Sequence, residues 1–235
     1  MNINNKRKNM GEFIPLFPSI LAVTPLGLEK SERQRITKFI LGREAKFKKR
    51  SKDNVLFETS PMNLHKEKDM AALMNKIASA LSLAIRNYGI DPTYLKLHVT
   101  KSWANLNLKT TVTAPHTHIN SHLSVVYYPD QSCNQATINF LRPNSINGWI
   151  PGISHPSYSS IGIFKTTKAN AETLSYSPKE DICLIFPSDI AHSVSPNPSH
   201  KPRISIAMDT LFTLQNYHRD EPLLPPPSDW REFPL

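Results

Sequence analysis

From Tyr94 to Thr213 the apolar positions come in short runs rich in Val, Ile, Tyr, Thr and Phe, separated by clusters of Pro, Asn, Ser and Asp. That rhythm predicts strands rather than helices. The runs fall at residues 94–103, 122–128, 136–140, 161–166, 172–176, 181–186, 192–194 and 203–213. Upstream the period changes. Ile36, Phe39 and Ile40 share one face of a helix that Ser31 can cap and Gly42 can stop. Leu73, Ile77, Leu81, Ala84 and Tyr88 recur at helical spacing in a second helix over 66–88, with Gly89 as its C-terminal cap. Before both, residues 13–23 are apolar and punctuated by proline, as an edge strand can be. The expected fold is mainly β with flanking helices, a sandwich or jelly-roll barrel of the cupin type.

This pattern divides the chain into a lead-in at 1–11 that is expected to be disordered, one domain at 12–213, and a tail at 214–235. The tail contains Pro225-Pro226-Pro227 and Trp230 and is expected to lie on the barrel as an extended strap. At 235 residues the chain is long enough for one domain with a substantial core. Twenty Pro against 7 Gly predict stiff loops.

The formal net charge of +9 invites a nucleic-acid reading until it is placed on the chain. Residues 1–52 hold 13 Lys+Arg against 4 Asp+Glu, and the remainder is balanced. The rest of the chain is therefore neutral, and the excess is read first as a solvated tail and loop. The run Lys46-Phe47-Lys48-Lys49-Arg50-Ser51-Lys52 is also a place for a weak acidic partner. Cys133 and Cys183 form neither a disulfide framework nor a Cys-x-x-Cys pair, which fits a reducing, cytoplasmic setting. Pro15, Pro18 and Pro25 interrupt the apolar stretch near the start, so no signal peptide, membrane span or membrane association is expected.

Chemistry enters with His116-Thr117-His118. On a strand, a spacing of two turns both imidazoles to one face, where one metal ion could reach both. Alone the pair is a weak signal. His192, several strands later, is the best-placed third ligand. Eleven residues beyond it comes Arg203-Ile204-Ser205, whose Arg and Ser also share a face. A guanidinium inside a barrel needs an anion, and a dicarboxylate would fit it in bidentate geometry. His192 read alone is a hydrogen-bonded core histidine and Arg203 read alone an ion pair, but those readings leave the order of the set unexplained.

The segments Trp103-Ala104-Asn105, Pro115-His116-Thr117-His118 through Tyr128, Phe140-Leu141-Arg142-Pro143, Phe186 to His192 and Arg203-Ile204-Ser205-Ile206 resemble the 2-oxoglutarate/Fe(II)-dependent oxygenases. The likeness is strongest to a little-characterised branch of bacteria and their viruses, and covers about residues 12–213. It implies a double-stranded β-helix with Fe(II) held by His116, His118 and His192. It also implies 2-oxoglutarate anchored by Arg203 and Ser205, O2 as oxidant, and hydroxylation of an unidentified substrate. Tyr128 and Asn105 become candidate partners of the cosubstrate, and His122 a candidate support or alternative ligand. Arg142 becomes a candidate substrate contact or a surface ion pair. One departure matters. His118 stands where the superfamily's two-His, one-carboxylate triad has its Asp or Glu. Val125 and Ile119 also differ from that pattern. Two other readings stay open: a three-His zinc hydratase or hydrolase, and a non-catalytic jelly-roll binding module.

Overall fold

The computed structural model describes residues 17–43, 47–49, 56–59, 61–130, 136–144, 150, 153, 165–216 and 222–233. Its elements run β1 (Ala22–Pro25), α1 (Lys30–Leu41), β2 (Phe47–Lys49), β3 (Leu56–Thr59), α2 (Ala71–Asn87), β4 (Leu95–Asn107) and β5 (Thr113–His116). Then come β6 (Leu123–Tyr128), β7 (Ile138–Leu141), β8 (Thr173–Tyr176), β9 (Ile182–Pro187), β10 (His192–Val194) and β11 (Arg203–Leu214). The major sheet has the order β1-β9-β6-β11-β4-β3-β2 and the minor sheet β5-β10-β7-β8, with every pairing antiparallel.

The major sheet is covered on both faces, and strand alternation decides what each face meets. Val125 and Tyr127 of β6, Cys183 and Ile185 of β9, and Ile204, Ile206 and Met208 of β11 pack in one cluster with Ile36 and Ile40 of α1. Leu73, Ile77, Leu81, Ala84 and Ile85 of α2 complete it. The alternate residues Val126, Tyr128, Leu184 and Phe186 point the other way, onto Ile138 and Phe140 of the minor sheet. All six positions of β6 are buried for this reason. On β11 the odd-numbered residues Arg203, Ser205, Ala207 and Asp209 face the interior between the sheets.

Several boundaries differ from the sequence expectation. Helix α1 starts two residues earlier than a Ser31 cap would place it. Glu29 is the cap, with its carbonyl accepting from Arg33 N at 3.0 Å and no side-chain cap bond. Extended backbone at Glu67 (ψ 133°) breaks the expected 66–88 helix into two short 3-10 turns, so that α2 begins only at Ala71. The first strand is confined to β1 on the sheet edge, and residues 13–16 lie outside the described set. So do residues 1–11, and residues 161–164 of an expected strand. The basic run 46–52 is described only at Phe47–Lys49, which form β2. In the tail, Leu214 N donates to Leu224 O at 2.8 Å. Among the described residues no helix is long and apolar enough to cross a membrane.

Candidate metal centre

His116 closes β5 and His192 opens β10, and the ladder sets them directly opposite each other. His118 lies two residues past β5. Its place is fixed by the connection rather than by strand alternation, which corrects the simple period-two argument. The His118 N–H donates to Ser188 O at 3.0 Å, and Asn120 turns the chain at φ 59°, a left-handed conformation that Asn tolerates. Ser188 Oγ is in turn bonded to Ser121 Oγ at 2.8 Å and to Ser124 Oγ at 2.9 Å. The ring centroids lie 4.4 Å apart for His116 and His192, 5.1 Å for His118 and His192, and 5.3 Å for His116 and His118. One ligating nitrogen from each lies within 4.8 Å of the others.

The hydrogen bonds decide which nitrogen each ring offers. His116 Nδ1 donates to Ala114 O at 2.9 Å and His192 Nδ1 to Ile190 O at 3.1 Å. His118 Nδ1 donates to Asp209 Oδ1 at 2.5 Å. A carbonyl or carboxylate oxygen only accepts, so Nδ1 carries the hydrogen and Nε2 carries the lone pair on each neutral ring. Three such lone pairs at one place suit a first-row divalent cation.

Burial pushes the His192 pKa down to about 4, with His116 and His118 acting in the same direction and the bond to the Ile190 carbonyl opposing. The ring therefore stays neutral and ligand-competent throughout the physiological range. Between pH 4 and the ordinary value of 6.5, the unfolded chain takes up a proton at this residue that the folded chain does not. Stability must then fall as pH falls through that window, by up to roughly 3 kcal/mol from this group. Chelator-treated protein is expected to melt at a lower temperature at pH 5 than at pH 7, and the drop to shrink in His192→Gln.

Arg203 is 5 % exposed, and its guanidinium carbon sits 4.9 Å from the centre of the Tyr128 ring. Burial raises the Tyr128 pKa, with the nearby Arg203 charge and hydrogen bond opposing. Arg203 Nη1 is buried with no hydrogen-bond partner among the described residues. Directly across the ladder is Asn107, 3 % exposed, whose Nδ2 is also buried and has no partner among the described residues. Unsatisfied buried donors are costly and need an explanation; an anion bound between them supplies one. Ser205, Tyr128 and Asn105 line the same cavity of about 280 Å³ as the three histidines.

The cavity wall also includes Glu58, Asn107 and Asp209, which sequence reasoning did not single out. Asp209 had a signal: it shares strand parity with Arg203 and Ser205. Glu58 and Asn107 had none, because their roles depend on β3 pairing with β4. Two named residues lie elsewhere. His122 Nδ1 accepts from Phe212 N at 3.2 Å and its ring stacks on Phe212, so it supports β11. Arg142 Nη2 donates to Ala169 O at 2.5 Å, away from the cavity. Val125 faces the helices and Ile119 is 78 % exposed at the cavity mouth.

Residues 101–209 match the family described as "Putative 2OG-Fe(II) oxygenase". The match covers the core of the chain, and over that core the chain is similar to this family. The chain is similar in fold to SnoN, a non-heme alpha-ketoglutarate-dependent epimerase from nogalamycin biosynthesis. Identity there is 14 %, TM-score 0.58, covering 81 % of this chain and 78 % of SnoN. It is also similar to a prolyl hydroxylase from Trichoplax adhaerens, at 15 % identity and TM-score 0.52, covering 81 % and 83 % of the two chains. A third neighbour is the carbocyclase SnoK, at 11 % identity and TM-score 0.53, covering 83 % of this chain and 81 % of SnoK. These likenesses identify the fold as the double-stranded β-helix. Among proteins of curated function, none matches the chain by sequence.

Fe(II) and 2-oxoglutarate are the cofactors that the description of the matched family names. The residues present fit both, on two observations independent of the family: the three convergent Nε2 lone pairs and the buried, unpartnered Arg203 Nη1.

Proposed function

We propose that the protein is a hydroxylase, with His116, His118 and His192 holding the iron. Arg203 holds the far carboxylate of 2-oxoglutarate, with Ser205, Tyr128 and Asn105 on the cavity wall around it. The single observation that carries this reading is the pairing of three metal-ready imidazoles with a buried guanidinium whose Nη1 lacks a partner. When bound, iron and 2-oxoglutarate supply activation of O2, with loss of CO2 to give succinate and oxidation of a C–H bond. The protein's own part is positional. The carbonyls of Ala114 and Ile190 and the carboxylate of Asp209 hold each ring in the Nδ1–H tautomer. Val126, Ile138 and Val194 give the cavity dry walls.

Hydroxylation is preferred over epimerisation on the makeup of the cavity wall. An epimerase must return a hydrogen to the opposite face of its substrate. Among the described residues lining the cavity there is no thiol, and the one phenol, Tyr128, is engaged by the Arg203 guanidinium over its ring. A zinc hydratase or hydrolase would give Arg203 Nη1 no use. At about 280 Å³ the cavity is near the lower limit for ligand sites. The cosubstrate takes the inner part of it, and the substrate presents its reacting carbon toward the mouth beside Met62, Lys101 and Ile119.

Anaerobic titration with Fe(II) and then 2-oxoglutarate is expected to produce the visible charge-transfer band of the chelate, and admission of O2 to yield succinate. Absence of the band in metal-loaded wild type would remove the reading. With a substrate in hand, a product heavier by one oxygen atom identifies hydroxylation, and one of unchanged mass identifies epimerisation.

A further inference from the structure

The superfamily's carboxylate ligand is replaced by His118, yet a carboxylate is still present one imidazole further out. Asp209 Oδ1 accepts from His118 Nδ1 at 2.5 Å, and the two side chains are 7 % and 5 % exposed. Asp209 is placed by β11, on the interior face that also presents Arg203 and Ser205. The His118 ring is held from its other sides as well. Trp103 stacks on it at 5.7 Å with an interplanar angle of 22°, and His192 at 5.1 Å with 20°. Such a ring has little rotational freedom, and its lone pair is fixed on Nε2.

We propose that Asp209 is the positioning residue of the metal centre, and that Asp209 and His118 together stand in for the usual carboxylate ligand. The inference rests on the three-His reading above and adds to it the source of the negative charge. A carboxylate behind a ligating imidazole fixes its tautomer and makes its free nitrogen a stronger donor. Three neutral imidazoles alone would leave the ferrous centre one charge more positive than the two-His, one-carboxylate arrangement. Asp209 returns that charge to the buried site without occupying a coordination position.

The test separates charge from structure. In Asp209→Asn the side-chain oxygen can still accept from Nδ1, so ring orientation is kept while the charge is lost. Binding of Co(II), followed by its visible spectrum, and of Fe(II) is expected to weaken 10- to 100-fold. The melting temperature of the metal-free protein should change little. In His118→Asp a carboxylate sits in the ligand position, and the second charge at Asp209 becomes surplus. There the added Asp209→Asn change is expected to leave metal affinity unchanged or tighter. A purely structural Asp209 would instead lower the metal-free melting temperature equally in both backgrounds. Affinity within threefold of wild type for Asp209→Asn overturns the proposal. Wild-type protein gives an independent arm that no folding defect can obscure. Long-range proton–nitrogen spectra of the metal-free protein should show His118 protonated at Nδ1, and an Nε2–H tautomer would equally overturn the idea. Failure of wild type to bind metal at all counts against the three-His reading itself, whereas binding that ignores Asp209 counts against this inference alone.

Discussion

Replacing His192 with alanine is expected to abolish the chelate band and to lower succinate formation by more than about 100-fold. Loss of a mere outer partner of a metal ligand typically costs 10- to 100-fold, and His192 is placed as a ligand. The same change leaves the fold largely intact. His192 is 3 % exposed and lies against Phe186 at 4.9 Å and Phe140 at 6.3 Å between ring centroids, so truncation opens a small cavity between these rings. The strand is still held, because β10 keeps its ladder to β7 through the backbone. Circular dichroism and metal binding measured together check this. Retention of the band in His192→Ala would show that the cation sits elsewhere.

The second large effect concerns Arg203. In Arg203→Met the 2-oxoglutarate affinity of the Fe(II)-loaded protein is expected to fall by about 100- to 1000-fold, the range for breaking a buried charge pair. Binding of 2-oxobutyrate, which keeps the chelating 2-oxoacid and lacks the far carboxylate, should change little. Stability without ligand should move much less. The variant removes an unpartnered buried N–H, which is favourable, and leaves the phenol of Tyr128 without its partner, which is unfavourable. Each amounts to about 1–3 kcal/mol and the two have opposite signs. Anaerobic titration of both acids against wild type and variant reads the first effect, and thermal melts the second. Equal losses for the two acids would mean that Arg203 acts on the metal end and not on the far carboxylate.

Much of this site could be read in the sequence because its interior face is written in strand parity. Arg203 and Ser205 alternate with Ile204 and Ile206, and the structure sends Ser205 to the cavity, lays Arg203 over the Tyr128 ring, and turns the two isoleucines to the helices. The same alternation located β6, β9 and β11 to within one residue or so. Strand β5 was missed because Thr113-Ala114-Pro115-His116 is short and contains a proline. Proline is tolerated there because β5 lies on the edge of the minor sheet. Strands β2 and β3 are three and four residues long and gain their identity from pairing with each other and with β4. No local window carries such information. Asp209 was passed over for a different reason. Acids are depleted in strands, and one set between Met208 and Thr210 has meaning only once His118, 91 positions away, is known to lie against it.

His116 and His192 belong to the minor sheet, whereas Asp209 and Arg203 belong to the major one, and His118 hangs on a loop fastened by the Ser188 carbonyl. Any cation gripped by these nitrogens therefore clasps two layers that otherwise meet through the packing of a few apolar side chains. Loading the centre and cinching the sandwich are one event, and a molecule stripped of its ion should gape first along that seam.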